Sequence, residues 1–216
     1  DLSFYMYPQI SKKLSKTDFD EFLYLNFYSI LGANSLCFNP LRFFDKNEIV
    51  PTEIDSLFRK QLIHGYVHDE GAALMNGISG HAGLFGNAND LAKLMQMFLN
   101  YGEYGGYNFL DSLTIKKWTS YQFVEFDNRR GIIFDKPLLR NKHLGTPSPL
   151  ASDKSFGHSG FTGTFVWIDP EYEITYVFLS NRVYPTRNNS KLSDLNIRTG
   201  ILQALYDSIT DKPFGL

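Results

Sequence analysis

The sequence is poor in the features that mark several common classes of protein. Its single cysteine, Cys37, can close no internal disulfide and lacks the partner ligands of a zinc site, so we expect a buried, unreactive thiol. Its longest apolar runs, such as 175–179, are far shorter than the roughly 20 residues that a membrane helix needs. We therefore expect neither a membrane span nor an export leader among these residues.

An excess of charge of one sign is also lacking. Lysine and arginine together number 21, and aspartate and glutamate number 23, which gives a formal net charge of -2. No basic block could follow a phosphate backbone, so no nucleic-acid partner is expected. Hydrophobic residues, in contrast, make up 43% of the chain and aromatic residues 16%, which is enough for a globular core.

The familiar motifs of a nucleophilic serine are missing as well. There is no Gly-x-Ser-x-Gly elbow, and no Ser-x-x-Lys in a helical context, since the third residue after both Ser112 and Ser152 is not lysine. A serine hydrolase needs such a nucleophile, a nearby base and backbone N–H groups directed at the developing oxyanion. The residues present can therefore supply only part of such a site.

The glycine-rich stretch 77–86 resembles a phosphate-binding loop only in its glycines. It lacks the closing Gly-Lys-Ser/Thr, and no strand of β-branched residues leads into it. We expect a tight loop packed close to a pocket. Within it, His81 either lines that pocket or bonds a backbone carbonyl.

Hydrophobic spacing predicts several helices. The clearest begins after Asn87 and ends before Gly102, and a shorter one is expected over 112–120, capped by Asp111 or Ser112. The segment 129–153 is rich in turn-forming residues and is expected to be mainly loop.

The first third of the chain is less regular. Pro8 should either kink a helix near Tyr7 or begin one, and we favour the kink. A second, amphipathic helix is expected from the start signal at Thr17 until Gly32. Prolines and glycines interrupt 34–76, which we expect to be a long ordered excursion with at most short helices.

The composition changes after Phe156 to aromatic and β-branched residues. Two antiparallel strands are predicted, 162–168 and 173–180, joined by a turn at 169–171. Both strands are apolar on both faces, which is typical of strands that are covered on each side.

The predicted cover includes a last helix with apolar residues from Leu195 to Ile209. We expect an α/β fold in which an antiparallel sheet of C-terminal strands is flanked by helices. Within that single, truncated domain, 1–150 forms a mainly helical region with long ordered loops, and 151–216 holds the strands and the last helix.

The clearest candidate for a binding or catalytic group is His158, which begins the sequence His158-Ser159-Gly160 ahead of an apolar strand. The imidazole and the hydroxyl could bond a ligand there, and the N–H of Phe161 could serve as an oxyanion donor. Local chemistry alone leaves a second interpretation open, namely a glycine-rich turn that begins a strand and whose histidine is merely solvated.

His64 and His68 are candidate metal ligands, because they are four residues apart with Asp69 and Glu70 adjacent. The acid lies outside the histidine pair rather than between the two histidines, and Gly65 weakens a helix there. No metal is expected. The alternatives are a hydrogen-bonded loop scaffold or a role in lining a site.

Two blocks of the sequence carry a resemblance to a known family. They are HGYVHDEGAALMNGISGHAGLFGNANDLAKLMQMFLN (64–100) and FGHSGFTGTFVWIDPEYEITYVFLSNRVYP (156–185). Together they resemble the serine β-lactamase and penicillin-binding-protein superfamily, most of all its class C and esterase-like branch. The resemblance covers nearly the whole chain and implies a partial β-lactamase/D-Ala peptidase-like fold.

The resemblance also implies roles for particular residues. In that family, Ser-x-x-Lys supplies the nucleophile and its base, Tyr-x-Asn a second proton carrier, and Lys/His-Thr/Ser-Gly the third wall of the site. Only the third motif is complete here. It implies a catalytic role for His158 and substrate contacts from Ser159, Gly160 and Phe161, with His81 as a further substrate-binding candidate. Asp1 matches the last position of the second motif, as a further catalytic candidate.

The resemblance implies that these residues are the C-terminal part of an acyl-serine hydrolase. Histidine in place of the commoner lysine favours an esterase or D-amino-acid peptidase over a β-lactamase. Similar domains follow family 3 glycoside hydrolases in bacterial envelope proteins, which implies a role in cell-wall metabolism and a periplasmic or envelope location. The expected partners are the missing N-terminal part of the domain, a small-molecule or peptide substrate and a possible upstream glycosidase. No cofactor is expected.

Overall fold

The computed structural model describes residues 2–140 and 147–210. Its α-helices there are α1 (Tyr7–Ser15), α2 (Phe19–Leu23), α3 (Glu70–Leu74), α4 (Ala88–Leu99), α5 (Ser112–Thr119), α6 (Lys191–Asp194) and α7 (Ile197–Ile209). Its strands are β1 (Cys37–Phe38), β2 (Pro51–Asp55), β3 (Gln61–His64), β4 (Leu84–Phe85), β5 (Glu103–Tyr104), β6 (Tyr107–Asn108), β7 (Phe156–Ser159), β8 (Phe165–Asp169) and β9 (Ile174–Phe178).

The helix at the beginning of the chain changes type where the proline occurs. Leu2–Met6 is a 3-10 helix, and α1 follows it with Pro8 in its first turn, where a missing N–H breaks no helical hydrogen bond. The α-helix therefore begins beside the proline, one residue before the start given by the alternative expectation, and the favoured kink near Tyr7 stays a prediction. The helix expected after Thr17 begins as α2 and continues as a π-helical turn over Tyr24–Tyr28.

The two best-marked helices have the predicted bounds and caps. At the start of α4, the Asn87 side chain accepts a hydrogen bond from the Asp90 N–H at 2.9 Å. At the start of α5, the Asp111 carboxylate accepts from the N–H groups of Leu113 and Thr114, both at 3.0 Å. None of the helices in the described ranges is both long and apolar enough to cross a bilayer.

By their contacts, the described residues form two compact units. The first holds the residues up to Leu94 together with Ser180–Asn189, and the second holds Met95–Leu179 and the residues from Ser190 onward. Composition predicts a boundary near residue 150 within a single domain. The two units are defined by contacts and do not test that boundary, so it stays a prediction.

The first unit contains a hairpin that the sequence did not indicate. Strands β2 and β3 pair antiparallel, with Ile54 opposite Leu62, inside the excursion where only short helices were expected. Strands β1 and β4 also pair antiparallel, so the loop before α4 is held by backbone hydrogen bonds. The core of this unit includes Leu31, Phe38, Ile63 and Ala72, all buried.

The second unit is built on a three-stranded antiparallel sheet in the order β7-β8-β9. The predicted pairing of the last two strands is confirmed. Strand β8 begins at Phe165 rather than at the predicted residue 162, because the backbone turns between Gly160 and Thr164, whose N–H and carbonyl are 2.8 Å apart. The core on this sheet comprises Ala151, Phe165, Trp167, Ile174, Leu202 and Tyr206.

The last helix covers this sheet, as predicted, but with fewer residues than its apolar spacing indicated. Leu202 and Tyr206 are fully buried, whereas Leu195 and Ile209 are 68% and 44% exposed. The buried Asp169 carboxylate at the end of β8 accepts hydrogen bonds from the Tyr206 hydroxyl at 2.7 Å and from the Ser152 hydroxyl at 2.6 Å. One buried carboxylate therefore holds together α7, β8 and the loop that precedes β7.

Candidate active site

The motif His158-Ser159-Gly160 lies at the end of the outer strand β7. His158 faces Val166 across the sheet and Ser159 faces Phe165, and both motif side chains are exposed. Gly160 follows in the turn that leads into β8. The motif is therefore presented on a strand, the placement that the resemblance implies.

The glycines of this hairpin have a steric reason within the chain itself. A Cβ on Gly157 would lie 2.1 Å from the Val166 carbonyl oxygen, and one on Gly160 would lie 2.2 Å from the Thr164 hydroxyl oxygen. Gly163 has a φ of 115°, which side-chain-bearing residues rarely adopt. The glycines are therefore required for the hairpin to close. Their predicted use in letting a substrate approach stays a prediction, as do the substrate roles of Ser159, Gly160 and the Phe161 N–H.

The His158 ring is held by two hydrogen bonds. Its Nδ1 lies 2.9 Å from the Ser159 carbonyl oxygen, and its Nε2 lies 3.4 Å from Nη1 of Arg130. A carbonyl only accepts and a guanidinium only donates, so Nδ1 carries the hydrogen and Nε2 accepts. These two contacts are those of a ring that carries its hydrogen on Nδ1.

Arg130 is itself anchored beside β7. Its Nη1 lies 2.5 Å from the Asp135 carboxylate, which also accepts from Arg129 at 3.3 Å. Asp135 in turn pairs its backbone with Gly157, with N–O distances of 2.8 and 2.9 Å. No local sequence pattern indicates this neighbour, since 28 residues separate Arg130 from His158.

A second arginine that the sequence reasoning missed secures the turn after the motif. Nη1 of Arg198 in α7 donates to the carbonyl oxygens of Gly160 at 3.3 Å and Thr164 at 3.1 Å. Because both ends of the turn are bonded to one guanidinium, the backbone around Phe161 is fixed in shape.

His81 lies in the first unit, within a chain of side-chain hydrogen bonds. Its Nδ1 is 2.8 Å from the Ser79 hydroxyl and its Nε2 is 2.8 Å from the Asp69 carboxylate. Its ring contacts that of Tyr5 at 4.4 Å. Both ring nitrogens bond side chains, so the expected alternative of a bond to a backbone carbonyl is wrong.

The Asp69 carboxylate serves His81 and also the start of α3, where it accepts from the Ala72 N–H at 2.7 Å. Burial raises the pKa of this carboxyl, but the hydrogen bonds from Ala72 and His81 outweigh burial, so the pKa lies below its ordinary value. The hydrogen bonds of this loop therefore stabilise the charged form of Asp69.

The two histidines considered for metal binding have separate partners. His64 Nε2 lies 2.5 Å from the Ile49 carbonyl oxygen, and His68 Nε2 lies 3.1 Å from the Glu53 carboxylate. Burial lowers the pKa of His68. Across the described ranges, no three His, Cys, Asp or Glu side chains are grouped as metal ligands. The hydrogen-bonded scaffold therefore describes His64, whereas His68 lies beside the Glu53 carboxylate.

The first unit also has a cavity of about 1000 Å³ between α1, α2 and β1. Its walls include Lys12, Tyr28, Cys37 and Arg42, but neither Ser79 nor His81. Cys37 is half-buried, whereas the sequence predicts a fully buried thiol. Its partial burial raises the pKa of the thiol. A raised pKa disfavours the reactive thiolate.

The predicted sites thus fall into two groups. His158, Ser159, Gly160 and Phe161 belong to the second unit, and His81 belongs to the first. Asp1 lies outside the described residues.

The chain carries His-Ser-Gly on a strand that is followed by a hairpin and a covering C-terminal helix. The comparison with family models identifies the class of protein to which this arrangement belongs. The β-lactamase family model matches residues 10–200, so the chain belongs to the β-lactamase family, within the serine β-lactamase and penicillin-binding-protein superfamily. Enzymes of this family are serine hydrolases.

Curated relatives provide a more specific comparison. Proteins named "Putative D-alanyl-D-alanine carboxypeptidase" from Salmonella enteritidis and Salmonella typhi are each 32% identical to this chain over 228 residues. The match covers 100% of this chain and 52% of each relative. The chain therefore spans about half the length of the curated relatives it matches.

Solved structures confirm the predicted fold class. A β-lactamase from Mycobacterium bovis matches with a TM-score of 0.60 at 17% identity, over 94% of this chain and 62% of that one. A penicillin-binding-protein homologue from Caulobacter crescentus matches with a TM-score of 0.54 at 18% identity, over 81% and 49%. Simvastatin synthase from Aspergillus terreus matches with a TM-score of 0.60 at 14% identity, over 93% and 53%.

Proposed function

We propose that these residues belong to an acyl-serine hydrolase that cleaves a D-alanyl peptide bond in cell-wall peptides. The observation that carries the proposal is the full-length match of this chain to relatives named as D-alanyl-D-alanine carboxypeptidases. The exposed His158-Ser159 pair on β7 agrees with it. The nucleophile and its lysine would come from sequence beyond these 216 residues, so the chain alone is expected to be inactive.

The reaction would proceed through two acyl transfers. The serine oxygen attacks the peptide carbonyl, the C–N bond breaks as the amine leaves with a proton, and water then hydrolyses the acyl-enzyme. The described residues would contribute the wall of the site. Ser159 would bond the substrate, and the Phe161 N–H, in the turn held by Arg198, would donate to the oxyanion.

The test compares two proteins with the same substrate and the same probe. A longer protein that contains a Ser-x-x-Lys motif ahead of these residues should release D-alanine from a diacetyl-Lys-D-Ala-D-Ala peptide and should be labelled by fluorescent penicillin. The 216-residue chain alone should do neither. Labelling of the chain alone, or a longer protein inert to both reagents, would refute the proposal.

A second candidate function is a catalytically silent binding module that holds a peptide or glycan beside a companion glycosidase. The observation that favours it is the lack of a helical Ser-x-x-Lys in the printed sequence. Reading the coding sequence upstream separates the two, since the hydrolase requires Ser-x-x-Lys and a tyrosine two positions before Asp1. For either function, we propose a periplasmic or envelope location and an upstream glycoside hydrolase domain.

We propose that an N-terminal part of the same domain, outside the printed sequence, is a partner of these residues. Family members complete their sheet with N-terminal strands, so we propose that an edge of the β7-β8-β9 sheet dimerises or retains that part. A monodisperse monomer at high concentration with no co-purifying peptide would count against this.

A further inference from the structure

The cavity between α1, α2 and β1 lies entirely within the first unit, since every residue that lines it falls between Pro8 and Ile78. Its volume of about 1000 Å³ is that of a pocket for a small molecule. Neither His158 nor Ser159 lines it, so the proposed hydrolysis leaves this cavity without a role.

Tyr28 brings a polar atom to the wall of this cavity. The residue is only 6% exposed, and it lines the cavity. Among the described residues, its hydroxyl has no hydrogen-bond partner. A hydroxyl on so buried a residue is ordinarily hydrogen-bonded, because leaving it unpaired costs free energy. The Tyr28 hydroxyl is therefore available to a bound molecule.

The helix that carries Tyr28 departs from α-helical geometry at this wall. Tyr24–Tyr28 is π-helical, and the Ser29 N–H donates to the Tyr24 carbonyl at 2.9 Å. The Ala33 N–H donates to the Tyr28 carbonyl, five residues earlier, at 2.8 Å. Single π-helical turns are rare and occur frequently at functional sites. Both tyrosines of this turn line the cavity.

Cys37 is a second uncharged donor on the same wall. Burial raises the pKa of the Tyr28 hydroxyl, and the nearby Cys37 raises it further. Burial also raises the pKa of the Cys37 thiol, by more than Arg42 lowers it. Both groups are therefore protonated at neutral pH and can donate to an acceptor.

The charges that line the cavity do not favour an anion. Lys12 and Arg42 are already paired, with Asp18 at 2.6 Å and with Asp20 at 3.3 Å. Glu21 adds a third carboxylate, so the lining carries an excess of one negative charge. An anionic ligand would therefore meet net repulsion.

The apolar part of the wall is largely aromatic. The rings of Phe19 and Phe38 are 6.0 Å apart, and Phe43 and Ile78 also line the cavity. Aromatic walls with a few placed polar groups are typical of sites that bind ring-bearing molecules.

We propose that this cavity binds an uncharged molecule that carries an aromatic ring and a carbonyl group, with the carbonyl oxygen accepting from the Tyr28 hydroxyl. An aryl ketone is the simplest member of this chemical class. The inference goes beyond the proposed function and does not rest on it, because it requires no serine nucleophile.

The single cysteine makes binding measurable at the cavity itself. Cys37 is the only cysteine of the chain and lines the cavity, so a bound molecule should slow its alkylation by N-ethylmaleimide. With acetophenone as the probe, the rate should fall to a plateau that gives the dissociation constant. Benzoate, in which a carboxylate replaces the ketone, should bind at least about tenfold more weakly.

Tyr28→Phe removes only the hydroxyl. It should weaken acetophenone binding about fivefold, the loss expected for one neutral hydrogen bond, and should leave binding of the isosteric hydrocarbon 2-phenylpropene unchanged. Because the hydroxyl has no partner in the described residues, the variant should unfold at the same urea concentration as the wild type. Tyr7→Phe, whose side chain does not line the cavity, is the control and should bind both probes as the wild type does.

Three results in the 216-residue chain would overturn the proposal: no saturable protection of Cys37 by acetophenone, equal affinity of wild type and Tyr28→Phe for it, or benzoate binding as tightly. If Tyr28→Phe does not fold, the wild-type chain decides, since equal affinities for acetophenone and 2-phenylpropene would mean that no donor serves the carbonyl. In a longer protein, mass spectrometry of the Cys37 peptide extends the test. Resistance to alkylation there without any ligand would also refute the site, because the protein itself would then fill the cavity.

Discussion

At the scale of single residues, Lys136 shows how burial alters a side chain. It is only 1% exposed, its Nζ donates to the Ser155 carbonyl at 2.9 Å, and it lies over the Tyr121 ring at 4.7 Å. Burial lowers its pKa from an ordinary value of 10.5 to about 8, more than the negative charges of Asp153 and Asp169 raise it.

A lowered lysine pKa makes stability depend on alkaline pH. The unfolded chain binds more protons than the folded chain between about pH 8 and about pH 10.5, so the free energy of unfolding should rise with pH there. The gain should approach about 3 kcal/mol. Urea denaturation of wild type and Lys136→Met across this range measures it, and the variant should lack the rise. Parallel profiles for the two proteins would show that Lys136 titrates normally.

The residue scale is also where prediction from sequence had its clearest limit. His158, Ser159 and Gly160 are adjacent in sequence and could be identified as a candidate site from their types alone. Arg130 could not, because its contact with His158 depends on how the backbone of Asp135 pairs along the outer edge of β7. Such tertiary pairing leaves no local pattern in the sequence.

At the scale of elements, the β2-β3 hairpin is held by one buried carboxylate. Asp55 accepts hydrogen bonds from the N–H groups of Leu57, Phe58 and Arg59 at 2.9 to 3.0 Å, and from Nε of Arg59 at 3.1 Å. Burial alone would raise the pKa of Asp55, but these bonds keep it well below its usual range. The connection contains no glycine or asparagine, so the usual hairpin signal was absent.

Removing that carboxylate should therefore open the hairpin. Asp55→Ala leaves the N–H groups of the turn without an acceptor and Arg59 without its counter-ion, and should lower the free energy of unfolding by about 3 kcal/mol. Glu171→Ala, which removes an exposed partner of Lys154 at 3.5 Å, is the control and should change stability by less than about 0.5 kcal/mol. Similar midpoints for both variants in chemical denaturation would contradict this account of the turn.

Helices with their caps in the sequence were predicted more accurately than strands. Asn87 and Asp111 are local signals that make the first hydrogen bonds of α4 and α5, so both helices have nearly the predicted bounds. The start of β8 was placed too early, because Thr162 and Gly163 favour a strand by composition but lie in a tight turn.

At the scale of the whole molecule, the chain returns to the first unit late in its sequence. Ser180–Asn189 belongs to that unit although its neighbours on both sides belong to the second. Arg187 holds this segment by bonding the buried Glu53 through Nε at 2.8 Å and Nη2 at 2.7 Å, and Glu70 at 2.7 Å. The Ile54 N–H also donates to the Pro185 carbonyl at 2.9 Å.

Loss of Arg187 should release this segment. Arg187→Gln leaves Glu53 buried without its cation, and should cost about 3 kcal/mol and speed hydrogen exchange at Ile54. The hydrogen bonds from Arg187 lower the pKa of Glu53, so their stabilisation is complete above the ordinary value of 4.5 and is lost as the pH falls through the lowered one. The variant should therefore lose less stability on acidification.

The exposed pair of Arg42 and Asp20, 3.3 Å apart, supplies the control for that measurement. Arg42→Gln should change stability by at most about 1 kcal/mol and leave exchange at Ile54 unaltered. Equal protection of Ile54 in all three proteins would mean that Arg187 does not hold the segment. The return of this segment could not be predicted, because its partners lie more than 100 residues earlier in the chain, as Glu53 does at a separation of 134.

The central claim is that the end of β7 forms a wall of an acyl-transfer site, and the rate of acylation by fluorescent penicillin tests it most directly. The measurement compares a longer protein containing Ser-x-x-Lys with its His158→Ala variant, and uses His64→Ala, whose ring bonds the Ile49 carbonyl, as the control. The account predicts that His158→Ala slows acylation at least about tenfold while His64→Ala leaves the rate within about twofold of wild type. Equal rates for the two variants would contradict it.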